Sequence, residues 1–210
     1  MPVKLSRSLD TELEFLLLKN PEYRQGGTLL FHWGYGIGSA YARQGAVLRS
    51  SLGRFGEVGH IQVSLNSSKL CNCGFYGCLE TEAALWSLLP EIRETFPEAP
   101  EDESEFTGFM HKRDISSLSA ISRALGFINL GLANLYKIFY PDRILLLGPF
   151  TVSGSVFDGL VRSFSQALPD YARRSVKLKR IDGFQGQILG GLYSMFRQAL
   201  KSFLTVRSSA

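Results

Sequence analysis

The chain lacks the features that would place it in a membrane, secreted or disordered class. None of its apolar runs reaches the ~18 uninterrupted residues that a membrane-spanning helix needs. Its start, Met1-Pro2-Val3-Lys4, is not followed by the apolar stretch of a secretory signal. It has no low-complexity run, and its net charge of +4 is mild. These absences predict a cytoplasmic protein with no membrane partner, whose few cysteines are reduced thiols.

The remaining composition predicts one large folded unit. Of the 210 residues, 45% are hydrophobic, which is enough to build a substantial core. We expect residues 1–205 to form a single lobe and residues 206–210 to form a tail. Basic residues cluster late in the chain, at Arg173, Arg174, Lys177, Lys179 and Arg180. A solvated face is the preferred interpretation of this cluster, with nucleic-acid contact as the alternative.

Strands and helices are predicted to alternate along the chain, which indicates an α/β fold. Predicted strands cover residues 3–5, 28–33, 143–148 and 176–181, with a hairpin over 39–49 that turns at Gln44-Gly45. Predicted helices cover residues 10–19, 80–96 with a break at Pro90, 114–139, 155–168 and 187–203. Asp10 and Asp114 are predicted to cap their helices. The acidic, proline-bearing segment 97–105 is predicted to be a surface loop.

The most specific motif is a cysteine cluster close to a histidine. Cys71, Cys73 and Cys78 lie within eight residues and are the only cysteines in the sequence. Three thiolates and one imidazole would complete the tetrahedral shell of zinc, and a closed shell indicates a structural rather than a catalytic ion. Spacing favours His60 as the fourth ligand, with His32 and His111 as rivals. The alternative is a chance cluster of buried free cysteines.

Two segments resemble the signature of the ROK family of repressors, open reading frames and sugar kinases. One runs from Gly56-Glu57-Val58-Gly59-His60 to the cysteine motif and ends at Leu79-Glu80. The other is the turn Gly34-Tyr35-Gly36-Ile37-Gly38, with Gly45 and Gly53 behind it. The resemblance covers residues 2–191. It implies the second lobe of an actin-like, hexokinase-type (ribonuclease H-like) ATPase fold with a zinc-binding loop, and it implies His60 as the fourth zinc ligand.

The resemblance also implies a sugar site. Its contacts would be Glu57, His60 and Glu80, whose family counterparts hydrogen-bond sugar hydroxyls. Carboxylates form strong charge-assisted bonds with hydroxyls. His60 could bind the metal through one ring nitrogen and face the sugar with the other. Without the resemblance, both glutamates would be interpreted as ordinary polar residues.

Several positions depart from the pattern of a ROK kinase. Arg7 and Ser8 stand where the family has the sugar-binding Asn and the catalytic Asp, and Ser is no general base near neutral pH. Using Asp10 instead would require a two-residue shift. Arg7 is expected either to block the pocket or to recruit an acidic ligand such as a sugar phosphate.

Two further departures lie in turns that the family uses around the nucleotide. Tyr35 replaces a small hydroxyl beside phosphate. Pro149 and Phe150 replace a Gly-Gly-rich turn, so that an N–H donor is lost and bulk is added. Taken together, the departures predict that the chain does not use ATP.

The leading hypothesis is therefore the sugar-sensing and dimerising lobe of a ROK repressor that is inactive as a kinase. Its ligand would be a small sugar, it would form a homodimer or tetramer, and DNA would be contacted only through a winged helix absent from this chain. The alternative is one lobe of an ATP-dependent glucokinase or N-acetylhexosamine kinase, and a third possibility is a zinc-containing interaction scaffold. Neither an Asp-x-Gly-Gly-Thr motif nor a helix-turn-helix is found, which suggests an excised domain or a natural truncation. The last helix is expected to expose an apolar face, formed by Leu192, Met195, Phe196, Leu200 and Phe203.

Overall fold

The computed structural model describes residues 6–53, 55–173, 175–184 and 186–208, which are arranged around one five-stranded sheet. The sheet order is β3-β2-β1-β4-β5. The strands are β1 (Gly27–Trp33), β2 (Ile37–Arg43), β3 (Ala46–Val47), β4 (Arg143–Leu147) and β5 (Lys177–Arg180). Strand β1 pairs antiparallel with β2 and parallel with β4, so the sheet is mixed. The strand predicted at 3–5 and Arg174 of the basic cluster lie outside the described residues.

Helices cover both faces of the sheet. They are α1 (Ser8–Lys19), α2 (Leu79–Ala83), α3 (Leu85–Thr95), α4 (Glu103–Met110), α5 (Ser119–Phe139), α6 (Gly154–Ala167), α7 (Asp170–Arg173) and α8 (Gln187–Ser208). Short 3-10 helices span Pro21–Arg24, Val58–His60 and Pro149–Val152. Within the described ranges, no helix combines the length and the apolarity that crossing a bilayer requires.

The alternation of side chains along β1 divides the core into two layers. Leu29, Phe31 and Trp33 point into the larger layer, where they pack with apolar residues of α2 to α6. Leu30 points the other way and packs with Leu13 and other leucines of α1. Both layers are closed to water, because these β1 side chains are at most 1% exposed. A strand that is buried on both faces has a continuous apolar run in its sequence. The positions of β1 and β4 can be predicted from the sequence for this reason.

The predicted break at Pro90 is wrong. The chain breaks at Ala84, between α2 and α3, and Pro90 lies inside α3. Pro90 is exposed, so its ring does not displace core side chains, although the helix loses one N–H donor there.

The loop predicted over 97–105 ends too late. Helix α4 already begins at Glu103, because the Asp102 carboxylate caps it by accepting from the backbone N–H groups of Ser104 and Glu105. Acidic composition suggested a loop, but an aspartate followed three residues later by a glutamate is also a helix-start signal.

Both predicted aspartate caps are wrong as well. Helix α1 begins at Ser8, and Asp10 is a buried residue of its first turn. Helix α5 begins only at Ser119, and the Asp114 carboxylate accepts from the Ser116 N–H and the Ser155 hydroxyl. Asp114 therefore fastens the turn before α5 to the start of α6.

Candidate functional site

Four potential metal ligands come together in the segment between β3 and α2. His60 ends a 3-10 turn, and Cys71, Cys73 and Cys78 lie in the loop that leads into α2. Their ligand atoms all lie within 4.8 Å of one another, so the group could hold a metal ion. His32 and His111, the rival ligands, are not in this cluster.

Tight backbone geometry shapes this loop. Gly77 has a φ of 73°, and a Cβ there would lie 1.8 Å from the Ser64 carbonyl oxygen. The β-bridge between Gln62 and Cys78 ties the segment that follows His60 to the last cysteine. A residue with a side chain at position 77 would therefore push apart the segments that bring Cys78 to His60.

Burial governs the protonation of two of the three thiols, Cys71 and Cys78. It raises the pKa of Cys71, and it raises the pKa of the Cys78 thiol to about 12. Cys73 is exposed, and the backbone N–H of Phe75 lowers its pKa. A bound cation would favour the thiolate form at all three positions, because a coordinating thiol is deprotonated.

The His60 ring is oriented with one nitrogen toward the thiols. Its Nδ1 lies 3.4 Å from the Cys71 Sγ. The opposite nitrogen, Nε2, lies on the other edge of the ring. The His60 backbone N–H donates to the Glu57 carbonyl at 3.1 Å, so both residues belong to the same turn.

Glu80 connects the cysteine loop to the turn between β1 and β2. It lies in the first turn of α2, two residues after Cys78, and its Oε1 accepts from the Ile37 N–H at 3.0 Å. Its side chain also lies against Gly59, where a Cβ would come within 2.7 Å of the Glu80 Cγ. The three predicted sugar contacts thus share one neighbourhood, with Glu80 beside the turn that carries Glu57 and His60.

Arg7 lies in this neighbourhood and its charge is already compensated. The guanidinium pairs with Glu57 at 3.2 Å and with the buried Asp10 at 3.5 Å, and it donates to the carbonyl oxygens of Ser39 and Phe55. Burial raises the pKa of Asp10, against the opposing effect of Arg7 and Arg49. Two carboxylates around one guanidinium argue against an acidic ligand for Arg7. Ser8, the other departing position, begins α1 and offers no carboxylate.

A second region of interest surrounds the turn that follows β4. Gly148 has a φ of 116°, and a Cβ there would lie 2.2 Å from the Trp33 carbonyl oxygen. A cavity of about 500 Å³ opens beside this turn. It is lined by Asp102, Glu103, Ser104, Thr107, Leu147, Gly148, Val152, Gly183 and Phe184.

The side chains of Pro149 and Phe150 do not line this cavity. Both residues are buried, and the Phe150 ring stacks on Trp33 with 4.6 Å between the ring centroids. The bulk that the sequence suggested at Phe150 therefore contributes to the core and leaves the cavity clear. Tyr35, by contrast, is 44% exposed, and its hydroxyl donates to Glu101 at 3.2 Å.

Sequence comparison identifies relatives of two kinds. The model of the ROK family matches residues 25–196. A glucokinase from Halalkalibacterium halodurans is 28% identical over 69% of this chain and 47% of its own length. A putative xylose repressor from Caldicellulosiruptor sp. is 29% identical over 59% of this chain and 34% of its own length. The chain thus spans less than half the length of these two curated relatives.

Solved structures share the fold. A ROK hexokinase from Thermus thermophilus superposes with a TM-score of 0.68 at 25% identity, covering 85% of this chain and 59% of the hexokinase. A ROK family transcriptional regulator, homologous to the E. coli MLC protein, superposes with a TM-score of 0.71 at 22% identity, covering 86% of this chain and 48% of the regulator. The mixed α/β sheet is therefore that of the actin-like, hexokinase-type fold.

Proposed function

The chain belongs to the ROK family, and from that premise we propose that it is the sugar-sensing and dimerising lobe of a transcriptional repressor without kinase activity. The observation that carries this proposal is the environment of Arg7. A kinase would need a carboxylate beside the reacting sugar hydroxyl, to act as general base. Here a guanidinium pairs with Glu57 instead, and the nearby Asp10 carboxylate is 3% exposed and paired with the same guanidinium.

The metal in this proposal is a structural zinc ion. The donor set fits it, because three sulfur atoms and one imidazole nitrogen satisfy all four tetrahedral positions. His60, Cys71, Cys73 and Cys78 would hold the ion, which supplies cross-linking of the loop and no open position for chemistry. The loop would in turn hold Glu80 and the His60 ring in position. Residues around a metal and its ligands commonly orient one another in this way.

The ligand in this proposal is a neutral sugar. Glu57 and Glu80 would accept hydrogen bonds from sugar hydroxyls, and the His60 Nε2 would contact a third. Glu80 uses Oε1 for the Ile37 N–H, which leaves Oε2 for a hydroxyl. The charge of Arg7 is balanced by Glu57 and Asp10, so Arg7 is not available as a cation for the phosphate of a phosphorylated sugar.

Regulation would follow from a difference in sugar affinity between two arrangements of the protein. A sugar shifts such an equilibrium only by as much as its affinity differs between the two states. The DNA contact would come from a winged helix outside this chain, and the repressor would act as a homodimer or tetramer.

The competing candidate is one lobe of a sugar kinase, and the glucokinase relative favours it. The two candidates are distinguished by calorimetric titration of xylose, glucose and N-acetylglucosamine, run alongside an assay for ATP-dependent phosphorylation of the same sugars. We expect at least one sugar to bind and none to be phosphorylated. Phosphorylation by the chain or by a longer protein that contains it would overturn the proposal in favour of the kinase.

A variant of Glu80 tests whether binding uses the proposed pocket. Glu80→Gln removes the charged acceptor and keeps the shape, so sugar affinity should fall about tenfold. Glu105→Gln is the matched control, because Glu105 is exposed on α4 and should leave the affinity unchanged. Equal affinity of Glu80→Gln and the unsubstituted chain would exclude Glu80 as a sugar contact.

A further inference from the structure

The turn between β1 and β2 holds a carboxylate from a distant part of the chain. Glu103, the first residue of α4, accepts a hydrogen bond from the Tyr35 N–H at 2.7 Å through Oε2. Its other oxygen, Oε1, lies 2.7 Å from the His32 Nε2. A Cβ on Gly34 would come within 2.3 Å of Oε2 and 2.6 Å of Cδ, so the carboxylate lies directly against the backbone of this turn.

Such a turn is a natural site for an anion. Glycine-rich turns present backbone N–H groups toward one point, where a phosphate or carboxylate oxygen can accept several of them. Here two of these N–H groups already donate to carboxylates of the chain itself. The Tyr35 N–H donates to Glu103, and the Ile37 N–H donates to Glu80. Two side chains of the protein therefore act as the anionic acceptors for this turn.

The charge of Glu103 is retained in its partly enclosed position. Its side chain is 27% exposed. Burial works to raise the pKa of the carboxyl group, but the hydrogen bond and charge of His32 and the Tyr35 N–H outweigh burial and hold the pKa below its ordinary value. Glu103 is thus an anion near neutral pH, and it also lines the 500 Å³ cavity together with Asp102.

We propose that Glu103 is an internal occupant of the anion position of the Gly34–Gly38 turn, which excludes the phosphates of a nucleotide by filling their place and repelling their charge. The inference rests on the proposed function for treating this turn as the remnant of a kinase phosphate site. It adds a specific residue to the loss of kinase activity, because Glu103 competes for the same N–H donor that a phosphate oxygen would need.

The inference predicts that removing the carboxylate creates a polyphosphate site. The probes are inorganic tripolyphosphate and ADP, titrated by calorimetry into the unsubstituted chain, Glu103→Ala and Glu105→Ala. The Glu105→Ala control removes the same charge from an exposed position in the same helical turn, so that a general electrostatic effect is subtracted. We expect Glu103→Ala to bind either probe at least about tenfold more tightly than both other proteins.

The possible outcomes separate this inference from the proposed function. If Glu103→Ala is folded by circular dichroism and binds no more tightly than Glu105→Ala, the internal-anion role is overturned while the proposed function stands. If the unsubstituted chain itself binds ADP tightly, both fail. Should the alanine variant not fold, Glu103→Ser decides the question in the same titration.

A measurement on the unsubstituted chain gives an independent result. The amide resonance of Tyr35 should not move in NMR spectra when tripolyphosphate is added at about 1 mM, because its N–H already donates to Glu103. Displacement of that resonance by tripolyphosphate would overturn the inference without any substitution.

Discussion

The lowered pKa of Glu103 makes its contribution to stability depend on pH. The folded pKa lies below the unfolded value, so the contribution is fully present above the ordinary glutamate range and is lost as pH falls through the folded pKa. We expect Glu103→Gln to lower the free energy of unfolding near neutral pH by about 1–2 kcal/mol, and to leave it nearly unchanged at acid pH. Urea unfolding of both proteins across this range measures the difference. A deficit of equal size at both pH values would contradict the assignment.

Cys78 is the proposed zinc ligand that is most deeply buried, at 0% exposure. Cys78→Ser should remove most of the bound zinc and lower the melting temperature, because the loop loses a cross-link and gains a buried hydroxyl without a metal partner. Elemental analysis and thermal unfolding measure the two effects. Asn72→Ser is the control, since Asn72 is exposed in the same loop, and it should keep about one zinc ion per chain.

The sequence predicts those site residues whose partners lie close to them along the chain. His60 and the three cysteines follow one another closely, so spacing and family resemblance are enough to group them. The pairing of His32 with Glu103 spans 71 residues, and neither residue belongs to a motif. Only the packing of α4 against the β1–β2 turn brings them together, and no local pattern encodes that.

Gly190 of α8 lies directly against the backbone of α1. A Cβ on Gly190 would lie 1.8 Å from the Thr11 carbonyl oxygen, whereas one on Gly191 would lie 3.8 Å from the Thr11 Cγ2. Gly190→Ala should therefore push the helices apart and cost about 3 kcal/mol of unfolding free energy. Gly191→Ala should be neutral or stabilising by up to about 1 kcal/mol, owing to helix propensity. Chemical denaturation of the pair gives the comparison, and equal stability of the two variants would argue against this packing.

Pro90 is tolerated within α3 at a cost to stability. Its ring cannot donate to the helix ladder and crowds the carbonyl of the preceding turn. Pro90→Ala should raise the free energy of unfolding by about 1–3 kcal/mol. Pro97→Ala, in the loop that follows α3, should instead lower it by about 0.4–1 kcal/mol, because the unfolded chain gains freedom. Thermal unfolding of both variants measures these opposite signs.

Element type was easier to predict from sequence than element ends. The apolar stripe of α5 and the buried runs of β1 and β4 reflect packing against the core, and this periodicity is visible in the sequence. The errors at Asp10, Pro90 and Asp114 share a cause. Each residue type suits a helix boundary in isolation, while the surrounding contacts use it inside a helix or in a turn.

At the scale of the whole molecule, α8 carries an apolar face without a cover among the described residues. The exposed side chains confirm the prediction at Leu192, Met195, Phe196 and Leu200, and they also include Ile188 and Leu189. The side chain of Phe203, the fifth predicted member, lies outside the described residues. Such a face favours association, since it leaves apolar surface in contact with water.

We therefore expect the chain to self-associate in solution through α8. Sedimentation velocity should show oligomers that are reduced in the double variant Leu192→Glu, Phe196→Glu, because charge placed on the face opposes its burial. Leu52→Glu is the control, as Leu52 is 84% exposed and is not part of α8, so it should leave the distribution unchanged. A strictly monomeric unsubstituted chain would contradict the expectation.

The family resemblance predicted the fold class correctly, whereas the choice of repressor over kinase stays a prediction. Relatives of both kinds share this scaffold, and under the proposed function the distinction would depend on a few side chains such as Arg7 and Glu103. Those side chains act through partners elsewhere in the fold. Their contacts follow from tertiary packing, which no short stretch of sequence specifies.

All four cluster ligands come from one uninterrupted segment, residues 60–78, whereas the sheet joins strands from opposite halves of the chain. During synthesis this segment is complete long before β4 and β5 leave the ribosome. Under the proposed assignment, zinc could be captured by the nascent chain before the sheet closes. A chelator added to the folded protein should accordingly unfold residues 60–78 first, while the strands of the sheet stay paired.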